Sequence, residues 1–354
     1  MQPKSTLLRG RGAGENPANR FEKIHLEPFE DYDPAEDPAP QTIFLTDNTQ
    51  TAITYNNSPD VGFDASINPY RGCEHGCSYC YARNTHEYLG FSAGLDFETK
   101  IMVKPRAAEL LRAELSSPKW QPQVLAMSGV TDCYQPAERR FQITRACLAV
   151  LAEFRNPVGI VTKNHLVTRD LDHLRELAAH DCIAVNLSIN SLDRELARRL
   201  EPRASLPAQR LAAVETLANA GIPVGIIIGP VIPALNDHEI PAVLAAAKNA
   251  GAQWAGKVVL RLPWTVRPVF EQWLKRTYPE KEEKILGRIR AIRGGQLNDP
   301  RFGTRMRGEG IFADQISQIF HVAHRKAGFT TEDRFPLTTQ NFRRPQGPQM
   351  ELGL

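Results

Sequence analysis

Asn68-Pro69-Tyr70-Arg71-Gly72-Cys73-Glu74-His75-Gly76-Cys77-Ser78-Tyr79-Cys80-Tyr81-Ala82-Arg83 crowds three of the chain's six cysteines into eight positions. Six cysteines in 354 residues are too few for a disulfide framework, so this spacing reads as metal ligation in a reducing compartment. Three thiolates at Cys-x3-Cys-x2-Cys, on a loop with two glycines, converge on three irons of one cubane. The fourth iron then has no protein ligand and is open to a small chelating molecule. A second reading takes His75 as the fourth ligand of a structural zinc, since Cys3His sites are common. Such sites usually pair two knuckles far apart in sequence, whereas all four candidates here fall within eight residues.

Outward from this loop, from about Phe63, short apolar runs alternate with longer amphipathic stretches, as in repeated βα units around a parallel sheet. Six strands are expected, at about residues 64–68, 124–127, 158–162, 183–189, 224–228 and 258–262, each running into polar or small residues. Apolar residues recur at helical spacing over 137–154, 169–179, 207–220 and 239–250. Gly221 and Pro223 give the third of these a sharp stop. Right-handed crossovers let such α/β units curl into a barrel or open into a doubly wound sheet. In both, ligands bind at the C-terminal ends of the strands.

Residues 1–60 hold clusters of Pro, Gly, Asp and Asn with no sustained apolar period, and read as an extended or partly disordered arm. Residues 61–265 hold the βα units, and 266–354 read as a helical extension with a break at Gly294-Gly295 and a last helix running to about Lys326. Charge is uneven: residues 1–60 carry 5 Lys and Arg against 10 Asp and Glu, and residues 257–354 carry 18 against 10. The basic C-terminal third is compatible with nucleic acid, and equally with ordinary solvated charge. No run of 18 apolar residues and no secretory leader is evident, which points to a cytoplasmic protein.

The Cys-x3-Cys-x-aromatic-Cys pattern, placed after a strand that opens a βα series, resembles the radical S-adenosylmethionine (SAM) superfamily over roughly residues 63–262. Within it, Tyr79-Cys80-Tyr81 and Thr131-Asp132-Cys133-Tyr134-Gln135-Pro136 look like the branch related to spore photoproduct lyase. The resemblance implies a partial (β/α)6 TIM-type barrel and a [4Fe-4S] cluster on Cys73, Cys77 and Cys80. It also implies SAM on the open iron, an electron donor such as flavodoxin or ferredoxin, and a 5′-deoxyadenosyl radical that abstracts hydrogen from a substrate. A nucleic-acid lesion is the substrate the branch implies; a peptide, tRNA or metabolite is the alternative, and a zinc-stabilised nucleic-acid-binding module is the competing class.

The same resemblance places Ser128, Gly129, Thr131 and Asp132 along the amino end of SAM. Glycine permits close backbone approach there, and Asp132 is a possible acceptor for the ammonium, although it could equally cap the following helix. Lys163, Ser188 and Asn190, at strand ends, are placed for the SAM carboxylate and ribose. Arg203 and Arg210 are placed for a carboxylate salt bridge. Tyr79 resembles the position whose backbone meets adenine. Cys133 is the candidate thiol for returning hydrogen to a substrate radical, against the plainer reading of a small buried residue. Cys147 and Cys182 read as core fillers.

Overall fold

The computed structural model describes residues 10–22, 41–330 and 337–345. Among these described residues the ten strands are β1 (Ile43–Thr46), β2 (Ile53–Tyr55), β3 (Ala65–Ile67), β4 (Tyr70–Arg71), β5 (Lys100–Val103), β6 (Leu125–Met127), β7 (Val158–Thr162), β8 (Ile183–Ser188), β9 (Val224–Val231) and β10 (Trp254–Val259). The larger sheet has the order β10-β9-β8-β7-β6-β3-β2. All its pairings are parallel except β2 with β3, which leaves six parallel strands in chain order. Its two ends, β10 and β2, do not pair with each other, so this is an open, partial βα barrel. A small sheet β1-β5-β4 stands beside the first barrel strand.

The inner strands form for the reason the sequence offers. Val185, Leu187, Val224, Ile226 and Ile228 are buried almost completely, and β-branched residues on a surface covered on both faces favour extended backbone. The last strand is set earlier than its apolar run suggested, at Trp254–Val259 in place of 258–262. It is an edge strand whose residues are mostly half-buried, so no continuous apolar run announces it. The long helical pattern at 137–154 is two helices, Glu138–Phe141 and Ile143–Phe154, separated by Gln142 in left-handed conformation at φ 52°.

Among the described residues two large apolar cores result, beside a small cluster of Cys73, Ala82 and Phe97. One fills the barrel and the layer beneath its outer helices, with Leu148, Leu151, Leu174, Leu217 and Leu244 all buried. The other joins Tyr79 and Cys77 to Leu260, Leu262 and the helix Val266–Thr277, with Phe270 and Trp273 at its centre. The C-terminal extension therefore packs its first helix against the cysteine loop. Trp273 is fixed further by its Nε1, which donates to the carbonyl of Arg199 at 2.8 Å. Within residues 1–60, two strands belong to the sheets and residues 10–22 run without helix or strand along the loop that follows β4.

Candidate active site

The cysteine loop leaves β4 at the C-terminal side of the barrel and turns on two glycines in left-handed conformation, Gly72 at φ 78° and Gly76 at φ 67°. Both are crowded as well. A Cβ on Gly72 would lie 2.9 Å from the carbonyl oxygen of Phe97, and one on Gly76 would lie 2.7 Å from Glu98 Oε2. Glycine is thus required by conformation and by space. Cys73 and Cys77 are buried and Cys80 is half-buried. Burial pushes the Cys73 thiol up, and the nearby charges of Asp132, Cys77 and Cys80 push it further. Burial likewise raises Cys77, while Lys163 acts against that rise. The three thiols therefore lie within one another's electrostatic reach. Cys73 and Cys77 must give up protons that burial favours when they bind a cation.

A buried guanidinium anchors the loop. Arg83 donates through Nε and Nη2 to the carbonyl of Cys77 at 3.0 and 2.8 Å, and through Nη1 to the carbonyls of Ala93 and Gly94. Its charge is met by Glu98 at 2.5 Å, with both side chains fully buried. Glu98 also accepts from the backbone of residues 10–22, at Gly12 N (3.0 Å) and Ala13 N (2.8 Å). That strap comes so close that a Cβ on Gly12 would lie 1.7 Å from the carbonyl oxygen of Gly76. Arg276, from the C-terminal extension, closes the strap's other side by donating to the carbonyl of Gly12 at 3.3 Å.

On the barrel side, Asp132 ties the loop down. Its Oδ1 accepts from Tyr134 N (2.9 Å) and Thr162 Oγ1 (2.7 Å), and its Oδ2 from Lys163 N (2.9 Å), with His75 Nδ1 at 3.3 Å. Burial alone would raise the carboxyl, but the charge and hydrogen bond of His75 hold it well below the usual carboxylate range. The other ring nitrogen of His75 sits 3.2 Å from Asn164 Nδ2. Thr131 Oγ1 donates to the carbonyl of Gly72 at 2.6 Å. Lys163, half-buried at the end of β7, holds its ammonium 6.0 Å from the Tyr79 ring centre. Burial lowers that ammonium, yet the surrounding Cys77, Glu201, Asp132 and Cys80 hold it above the usual lysine range.

The residue pattern of the radical SAM superfamily matches this chain over residues 67–247, which is half of its length. The chain belongs to the radical SAM superfamily. It is a radical SAM enzyme, and a [4Fe-4S] cluster and SAM are the cofactors that go with that membership. An uncharacterised protein of Mycobacterium tuberculosis is 35% identical over 254 residues, covering 71% of this chain and 74% of the relative. An uncharacterised protein of Methanocaldococcus jannaschii is 32% identical over 173 residues, covering 49% of this chain and 62% of the relative. Among solved structures, spore photoproduct lyase complexed with dinucleoside spore photoproduct superposes with a TM-score of 0.59 at 16% identity, covering 80% of this chain and 79% of that one. That likeness is one of fold.

The radical SAM donor set suits its cofactors. Among the described residues, no three His, Cys, Asp or Glu side chains are placed to hold one metal ion. His75 has both ring nitrogens engaged away from the thiols, by Asp132 and Asn164, so the zinc reading lacks its fourth ligand. At the rim, the buried Oδ1 of Asn190 has no partner, while its Nδ2 meets Tyr79 Oη (3.4 Å) and Glu201 Oε1 (3.2 Å). An orphaned buried acceptor beside the thiol loop suits a donor from a bound molecule. The half-buried Gly129 offers close backbone approach, and its carbonyl accepts from Tyr81 Oη at 2.7 Å.

Several residues expected around SAM do other work. Asp132 has no free oxygen for an ammonium, because its acceptor sites are filled from β7 and the cysteine loop. Thr131 is spent on the carbonyl of Gly72. Arg210 is buried and committed to Glu201, Ser205 O (2.7 Å) and Ser188 O (2.8 Å), so it is no carboxylate clamp for a ligand. Arg203 is engaged by Glu74 (2.9 Å) and Thr42 (3.3 Å). Ser128, strained at φ 86°, accepts the backbone N–H of Cys133. Ser188 donates to the carbonyl of Gly229 at 3.1 Å. Cys133 is completely buried in the barrel core. The sequence reading passed over Glu201, buried between Tyr79, Asn190 and Arg210, and over the Arg83–Glu98 pair. A lone Glu before Pro202 and a lone Arg after the last cysteine carry no spacing signal.

Proposed function

We propose that Cys73, Cys77 and Cys80 hold a [4Fe-4S] cluster with one open iron, and that SAM is bound there across the barrel mouth. The observation behind this is the set of three thiols on a glycine-turned loop, beside the Lys163 ammonium and the orphaned Asn190 Oδ1. With the cofactors bound, one electron from a flavodoxin- or ferredoxin-type donor cleaves the sulfonium C–S bond, giving methionine and a 5′-deoxyadenosyl radical that takes hydrogen from the substrate. Around that chemistry the chain's own residues orient and insulate. Lys163 attracts the SAM carboxylate, Asn190 Oδ1 accepts from a ribose hydroxyl, and the backbone at Ser128 and Gly129 passes close to the amino end. The ring of Tyr79 is pinned by Glu201 and fills the second core, which leaves its backbone to the adenine side. The strap and the helix Val266–Thr277 exclude water from behind the loop.

For the substrate we propose a nucleic acid. Support comes from 18 Lys and Arg against 10 Asp and Glu in residues 257–354. The exposed ring of Tyr81, whose hydroxyl reaches Gly129, is a surface on which a base can stack.

Anaerobic reconstitution, reduction and assay for 5′-deoxyadenosine test the first proposal; a protein without iron-sulfur absorption and without SAM cleavage would overturn it. DNA binding measured between 50 and 200 mM salt tests the second. Phosphate contacts should produce a steep decline in affinity, on the order of a thousandfold for six contacts. Salt-independent or absent binding would redirect attention to a peptide or metabolite.

A further inference from the structure

Beyond β10, the wall of the mouth carries a guanidinium with no carboxylate partner among the described residues. Arg261 is half-buried, and its one hydrogen bond among the described residues runs from Nη1 to the thioether of Met306 at 3.3 Å. Its Nε is buried without any acceptor. Burying a guanidinium with so poor a set of partners is costly unless something else supplies the acceptors. The nearest acid does not. Asp60 is taken by Arg305 and by Gly303 N at 2.7 Å. Arg305 also donates to Ser58 Oγ at 2.6 Å.

The surroundings hold Arg261 in place. Behind it, the buried Arg293 donates through Nη2 to the carbonyls of Val259 (3.4 Å) and Leu260 (2.6 Å), and through Nη1 to that of Thr304 (3.1 Å). Two backbone segments, the end of β10 and the turn before Met306, are thereby fastened around one more fixed positive charge. Toward the mouth, Arg261 lies within electrostatic reach of the Tyr81 phenol, which bridges to Gly129. Burial, then the charge of Arg305, pushes the Arg261 guanidinium below its ordinary value, a sign of positive charge without enough compensation.

We infer that Arg261, backed by Arg293 and Arg305, is an oxyanion-binding subsite for the substrate, separate from the SAM contacts at Lys163 and Asn190. It takes the carboxylate or phosphate oxygen of a molecule lodged over Tyr81, and it deepens the reading of the mouth as an active site. A guanidinium fork suits such a group because it donates two parallel hydrogen bonds. For a nucleic acid the anion is a backbone phosphate.

The test uses cluster-loaded protein and inorganic phosphate, followed by isothermal titration calorimetry. Saturable binding is expected, weakened at least tenfold in Arg261→Gln and less in Arg261→Lys, which keeps the charge if the first variant folds poorly. Arg267→Gln, on an exposed arginine paired with Glu271, should bind phosphate as the parent does. Phosphate binding that survives Arg261→Gln, or is absent from the parent, overturns the subsite. Repeating the titration with saturating SAM separates the two sources of an oxyanion. Unchanged phosphate affinity supports a substrate site, and competition shows that Arg261 holds the SAM carboxylate, which overturns it. Iron content and 5′-deoxyadenosine formation are read without phosphate, so the subsite and the cofactor assignment fail separately.

Discussion

Alanine in place of Cys73, Cys77 or Cys80 is expected to abolish the iron-sulfur absorption after reconstitution, whereas Cys133→Ala and Cys147→Ala should retain it, as read by iron content per chain. Equal loss in all five variants would contradict the ligand assignment. His86 gives a prediction of a different kind. It is completely buried beside Phe91 and Phe97, and burial lowers its pKa to about 4. The unfolded chain takes up a proton near pH 6.5 that the folded chain refuses. Stability is therefore full above pH 6.5 and lost as pH falls toward 4, by roughly 2 kcal/mol between pH 7 and pH 5. Urea unfolding of the cluster-free protein should show this, and His86→Phe should remove that part of the acid sensitivity. The cysteine trio was legible in sequence because its chemistry lies in local spacing. Asp132 was not: a short acidic residue after a strand fits a ligand contact and a helix cap equally well, and its actual partner, His75, is distant in the chain.

Packed elements make the strap testable. Glu98→Ala leaves Arg83 buried without its counter-charge and strips two acceptors from residues 12 and 13, for an expected loss of about 3–5 kcal/mol. Gly12→Val forces the strap away from Gly76, and the loaded protein should then lose its visible absorption in air faster than the parent. An unchanged bleaching rate would show that the strap gives the cluster no shelter. None of this is visible in residues 1–60 as a string. The bonds from Gly12 and Ala13 to Glu98 span 86 and 85 residues, so the arm's low apolar content hides a segment held by polar contacts, from its backbone and from Arg11, Asn16 and Asn19. The edge strand β10 was misplaced for a related reason. Its exposure removes the apolar run, and the neighbouring apolar residues 258–262 belong partly to the second core.

At the scale of the whole molecule, cofactor binding and folding are linked, because the loop that would hold the cluster also joins the two cores and the strap. SAM at a hundred times its dissociation constant should raise the unfolding free energy of the loaded protein by about 2.7 kcal/mol, measured by thermal or urea unfolding. Trp273→Ala should cost about 3–5 kcal/mol and lower cluster retention together, since that ring underlies the helix packed on Cys77 and Tyr79. The parallel six-strand barrel was legible because each inner strand is a buried apolar run bounded by turn residues. The seating of the C-terminal helices was not, since amphipathic periodicity says which face is apolar and not what it meets.

The contact between Gly12 and Arg276 also bears on biogenesis. A ribosome releases residue 12 early and residue 276 much later, so the strap has its full set of partners only when most of the polypeptide has emerged. Until then the strap is held against the loop from Cys73 to Cys80 through Glu98, and the tie from Arg276 is added last.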